Sequence, residues 1–235
     1  MCKKLLLTVS MLALAACAVA TQTPPRPSGE GAQASDAPGS VTRRVEGRTL
    51  VSAESPAVRI RFDDDFKYVG GHSFVLYEVA DAEQHFFVDA DREGRIRRLY
   101  WVQFEGYLPT NTHTYDYSDV KERVNLGGLD FVTDAVVFNF AQVRSQRPDS
   151  DGAKARAFLE GKGFRLSGND LMWRRFVHLT DTTRRKELLI IYLEDLGGTG
   201  FTAADLTGQG KDAARWPEIS RQLLQRATKG MKISK

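Results

Sequence analysis

Cysteine is nearly absent from this 235-residue chain: Cys2 and Cys17 are the only two. Past residue 17 there is no thiol, so no disulfide framework, zinc–thiolate cluster or cysteine nucleophile is available to the remainder. A core of apolar side chains has to hold the fold by itself. Histidine is scarce as well, and the wide spacing of His72, His85, His113 and His178 argues for no metal site. Gly-x-Ser-x-Gly and His-Glu-x-x-His are missing, which removes two common hydrolase signatures. Neither sign of charge dominates: 33 Lys+Arg stand against 30 Asp+Glu, a net of +3 that gives no reason to expect a nucleic acid as partner. Nothing in the sequence calls for a cofactor.

What is present begins with Lys3 and Lys4, followed by an apolar run from Leu5 to Leu14 and then Leu14-Ala15-Ala16-Cys17. The run is too short to span a bilayer as a helix. A basic start, a short apolar middle and small residues form the three-part layout of a secretory signal. The final tetrad resembles the lipobox of bacterial lipoproteins. That resemblance implies a signal peptide over residues 1–16, lipid on the sulfur of Cys17, and a membrane reached through that lipid. It implies a place in the cell envelope, and Ala18 resembles the outer-membrane class of Gram-negative lipoproteins. Ala18-Val19-Ala20 is a rival cleavage site that would give a soluble secreted or periplasmic protein. Loss of Lys3 and Lys4 brings the net charge to about +1.

Residues 17–45 are rich in Ala, Thr, Pro, Ser, Gly and Gln and contain no large aromatic. Such a segment buries too little apolar surface to offset its ordering entropy and reads as a flexible tether. Aromatic and β-branched residues then recur, so residues 46–235 read as a single domain. Val58–Phe62 alternates as a half-buried strand should. Runs over 72–79, 84–90 and 95–104, joined by short connections, predict an antiparallel meander, with Gly94 supplying the hairpin turn. Residues 129–143 fit helix or strand. A helix is expected over 152–162, two strands over 171–179 and 187–193, and a C-terminal helix after Pro217. The sum is an α+β domain with an antiparallel sheet packed by two or three helices.

Pairing Asp91 with Arg95 sets Asp89 opposite Arg97 and His85 opposite Trp101, and pairing Val79 with Gln84 sets Glu78 opposite His85. One face then carries Phe74, Leu76, Glu78, His85, Phe87, Leu99, Trp101, Gln103 and Glu105. The other is nearly all apolar, from Val75 to Phe104, and is the expected core. Glu78, His85, Trp101 and Glu105 therefore become the candidate ligand-binding residues: a histidine beside carboxylates, walled by aromatic rings. The blander reading is a cross-strand polar pair. No catalytic or metal-binding residue is assigned. Asp89-Ala90-Asp91-Arg92-Glu93-Gly94 starts like a calcium loop, but Tyr100 stands where a bidentate Glu is needed, so it reads as a hairpin turn. Gly197-Gly198-Thr199-Gly200 lacks the Gly-Lys-Ser/Thr of a phosphate loop. The expected function is a non-enzymatic envelope protein that binds a small ligand or a protein partner. The alternatives are a metal-free hydrolase using a Glu/His pair and a structural accessory of an outer-membrane complex.

Overall fold

A computed structural model describes residues 40–142, 149–166 and 168–235. The expected signal segment 1–16, Cys17 and the expected tether up to residue 39 lie outside the described residues. The order of elements is β1 (Arg44–Glu46), β2 (Thr49–Ser52), β3 (Val58–Phe62), β4 (Lys67–Leu76), β5 (Ala80–Ala90), β6 (Arg95–Tyr107), β7 (Arg123–Leu126) and β8 (Leu129–Asn139). Then come α1 (Asp151–Gly161), β9 (Arg165–Leu166), β10 (Asp170–Leu179), β11 (Lys186–Asp195), α2 (Ala203–Leu206), α3 (Trp216–Lys229) and β12 (Met231–Ser234). The tether reading ran to residue 45, but Arg44 and Val45 already pair with β2.

Antiparallel sheet dominates and helices are few, the C-terminal α3 among them. A large sheet runs β4-β5-β6-β11-β10-β8-β7, with β9 alongside β6, and a smaller one runs β1-β2-β3-β12. The β4-β5-β6 meander is present as expected. The chain then crosses to the far edge for β7 and β8 and returns through β10 and β11, which closes onto β6. Residues 129–139 are strand, in keeping with their β-branched content; residue 143 lies outside the described residues. Gly127 opens the β7–β8 turn at φ +61, and a Cβ there would meet the Ile233 carbonyl oxygen at 2.4 Å. Only glycine satisfies both demands.

Alternation along each strand gives the large sheet two buried faces. On one, Phe87, Tyr100, Val102, Phe176, Ile190 and Tyr192 meet Leu50, Ile60 and Phe62 of the small sheet and Leu223 and Ala227 of α3. On the other, Phe86, Val88, Leu99, Trp101, Ile191 and Leu193 meet Ala155 and Leu159 of α1. Each fully buried Phe, Leu or Ile contributes roughly 1.5–3 kcal/mol. Helix α1 starts at Ser150, whose hydroxyl accepts the Ala153 N–H at 3.2 Å.

Two bulges set which residues share a face. In β5–β6 the turn closes as expected, with Asp91 N–H donating to the Arg95 carbonyl at 3.0 Å. The ladder then slips by one: Ala90 faces Ile96 but Asp89 faces Arg98. Arg97 is the extra residue, and Asp89 pairs with both arginines. In β4–β5 a second slip falls between Tyr68 and Gly70. A one-residue slip turns every later side chain to the other face.

Candidate functional site

The four candidate residues do not meet. Glu78 sits exposed at the tip of the β4–β5 hairpin. The Val79 N–H donates to the Leu76 carbonyl at 3.0 Å, and Tyr77 and Glu78 occupy the turn at φ 49 and 60. Leu76 faces Ala80, so Tyr77, Glu78 and Val79 form the loop and Glu78 is not opposite His85. The bulge in β6 puts His85 opposite Val102, on the face toward the small sheet, while Trp101 and Glu105 point to the α1 face. The expected quartet is thereby dispersed over three places.

His85 instead belongs to a relay. Its Nε2 lies 2.8 Å from Glu83 Oε1 and its Nδ1 lies 3.1 Å from the Tyr68 hydroxyl. Glu83 and His85 are two apart on β5 and so share a face. Gly71 is the residue opposite His85 and has no side chain to fill the space. The preceding bulge turns Tyr68 toward that gap. A Cβ on Gly71 would stand 2.9 Å from His85 Nδ1 and 3.1 Å from the Tyr68 oxygen.

Glu83 is a hub of donors. The Thr42 hydroxyl (2.6 Å), the Arg43 N–H (2.9 Å) and Arg43 Nη1 (2.9 Å) all donate to it. Burial acts to raise its pKa, but the hydrogen bonds from His85, Thr42 and Arg43 outweigh burial and hold the carboxyl well below the usual range. An ionised Glu83 can only accept, so His85 Nε2 carries a proton and donates to it. In the Nε2–H tautomer Nδ1 accepts the hydrogen bond of the Tyr68 hydroxyl, which leaves the lone pairs of the Tyr68 oxygen as acceptors. Burial, then the Glu83 charge, push the Tyr68 phenol upward, so Tyr68 stays protonated.

Tyr68 lines an open groove of about 680 Å³ with Val41, Arg43, Val45, Arg48 and Lys67 among its walls and Phe66 beside it. Such a volume suits a small molecule. Arg48 is ion-paired with Asp64, yet its Nε–H is hidden from solvent without an acceptor among the described residues. His85 itself has no exposed surface.

The α1 face holds a second polar cluster. His72 Nε2 donates to Gln84 Oε1 (2.8 Å), Gln84 Nε2 to Gln103 Oε1 (2.7 Å), and Gln103 Nε2 to Glu105 Oε2 (2.5 Å). The chain ends on a carboxylate that also accepts from the Tyr115 hydroxyl at 2.7 Å. Glu187 stands directly opposite Glu105 on β11 and accepts from the Tyr117 hydroxyl at 2.7 Å. Burial, then the facing Glu105 charge, push Glu187 up to about 8. Burial likewise raises Glu105, and Asp151 adds to it. The Glu105–Glu187 pair is thus set to hold a proton at neutral pH. Trp101 Nε1–H is buried without an acceptor among the described residues. Among the described residues no three His, Cys, Asp or Glu side chains are arranged to hold a metal.

Sequence reasoning missed Tyr68, Glu83, Arg48, Lys67 and Glu187. Glu83-x-His85 at period two was the one legible sign of the relay. The aromatic stretch that includes Tyr115 and Tyr117 was legible too, and its two hydroxyls cap the acidic pair. Comparison with protein-family models, with curated proteins and with solved structures finds no match.

Proposed function

We propose that this chain is a lipid-anchored protein of the cell envelope whose domain binds a small amphipathic anion in the Tyr68 groove, without catalysing a reaction. The observation that carries the reading is the composition of that groove. Lys67 supplies positive charge beside the Arg48–Asp64 ion pair that also lines the groove, Val41 and Val45 supply apolar surface, and Tyr68 offers an acceptor held in place by the His85–Glu83 pair. An anionic head against the cations, an apolar body and one donor group on the ligand would match it. His85 has no exposed surface, and the Tyr68 phenol is held protonated, which favours binding over acid–base chemistry. The lipid anchor rests on Leu14-Ala15-Ala16-Cys17 alone.

A second reading, an accessory to an envelope complex, draws on the β4–β5 hairpin tip. Val75 and Tyr77 are its exposed large apolar residues, 52% and 49% accessible. Tyr77 and its neighbour Glu78 are non-glycine residues at positive φ, a strain that clusters at functional positions.

The test is purification of the full-length protein from its own membranes in mild detergent, with mass spectrometry of the small molecules that accompany it. An anion is expected with the wild type and at least tenfold less of it with Lys67→Glu or Tyr68→Phe. Recovery of anchor lipid alone, or equal recovery with both variants, overturns the reading.

A further inference from the structure

The outer face of the small sheet has a charge pattern that the groove does not explain. Thr49, Arg61 and Lys232 stand in one row across β2, β3 and β12, each directly opposite the next. Arg59 and Ser234 form the neighbouring row on the same face. Arg61 and Lys232 therefore face each other across adjacent strands, an arrangement that is unfavourable by itself. Glu46 is the acid on this face, and it is taken by Arg44 and Arg59. Among the described residues neither Arg61 nor Lys232 has an acidic partner. A lysine on an edge strand protects against edge-to-edge pairing, which is a sufficient reason for Lys232. It is no reason for Arg61, because β3 is an interior strand flanked by β2 and β12.

Thr49, Arg59, Arg61, Lys232 and Ser234 line a shallow hollow of about 280 Å³. A guanidinium fork, an ammonium and two hydroxyls all donate hydrogen bonds, and three or four acceptor oxygens on one centre would use them together. We infer that this hollow is a site for a phosphate group, with Arg61 and Lys232 as its charged ligands and Thr49 and Ser234 as its neutral ones. A phosphate there replaces the Arg61–Lys232 repulsion by two attractions. The group belongs either to a phospholipid headgroup or to a soluble phosphate ester; the chemistry is the same.

The full-length protein is titrated with inorganic phosphate at constant ionic strength, and the amide NMR shifts of residues 49, 61, 232 and 234 are followed. Saturable shifts confined to this patch are expected, with affinity at least tenfold weaker in the Arg61→Ser/Lys232→Ser double variant. Acetate at equal ionic strength is expected to produce none. The double variant removes a like-charge pair from an exposed face, so its Tm is expected at or above that of the wild type. Partition onto phosphatidylglycerol over phosphatidylcholine vesicles then separates the two sources. A fall of at least fivefold in the double variant assigns the site to headgroups, and no change assigns it to soluble phosphates. Absence of saturable phosphate shifts, equal shifts with acetate, or shifts that persist in the double variant overturn the inference.

Discussion

Gly71 decides whether Tyr68 can reach His85. Its place opposite His85 leaves the gap that the Tyr68 ring enters, and an ideal Cβ would stand 2.4 Å from the Gln84 carbonyl oxygen. That oxygen is backbone and cannot swing away. Gly71→Ala is expected to cost about 2–3 kcal/mol in urea denaturation and to weaken ligand retention; a loss below about 0.5 kcal/mol would show that the gap is not needed. Glu83 is the other decisive residue. Removing its carboxylate leaves donors from His85, Thr42 and Arg43 without an acceptor. Glu83→Ala is expected to lose about 3–4 kcal/mol, as for one partner deleted from a buried ion pair. Because the folded-state pKa of Glu83 lies below its unfolded value of 4.5, its contribution is present above pH 4.5 and is lost as the pH falls further. A denaturation series from pH 6 to pH 3 should show the wild type converging on Glu83→Ala; parallel curves would remove Glu83 from that role.

At the scale of elements, bulges and turns explain what was legible and what was not. Binary alternation found Val58–Phe62 and most of the meander, because period two needs no knowledge of partners. It did not find the slip at Arg97, which brings two neighbouring arginines onto Asp89. That slip moved Trp101 and Glu105 away from His85. The hairpin tip was misread for a different reason: a turn with positive φ at both central residues ordinarily announces itself by Asn-Gly, and here those residues are Tyr77-Glu78. Glu78→Gly is expected to stabilise the domain by about 1 kcal/mol, read as a rise in Tm. No rise would mean that other contacts of the tip favour the strained form. The acidic pair under Tyr115 and Tyr117 gives β6 and β11 their own pH response. Glu187 has a folded-state pKa above its unfolded 4.5, so its contribution is complete below pH 4.5 and is lost as the pH rises through about 8. Wild-type Tm should decline between pH 5 and pH 9, and Glu187→Gln, which still accepts the Tyr117 proton, should flatten that decline. Equal slopes in the two proteins would count against a proton held at Glu187.

Across the whole molecule, the central strands carry different chemistry on their two sides. The α1 side has an inward chain of amides and acids under two tyrosines. The small-sheet side has the relay, the groove and the clamp on Thr42–Arg43. Through that clamp the carboxylate that fixes His85 also fixes the segment leading in from residue 40. The incoming segment and the relay therefore share one buried residue. A tether read from composition alone ended at residue 45, since nothing local marks Thr42 and Arg43 as partners of a residue some forty positions on. Long-range pairing of this kind is invisible to periodicity, and so was the groove it helps to build. The most direct test of the account is a crystal structure of the protein purified from its own cells without stripping. The account predicts density for a small anion bounded by Arg48, Lys67 and the Tyr68 hydroxyl. A groove that holds only water, with Tyr68 still bonded to His85, would contradict it.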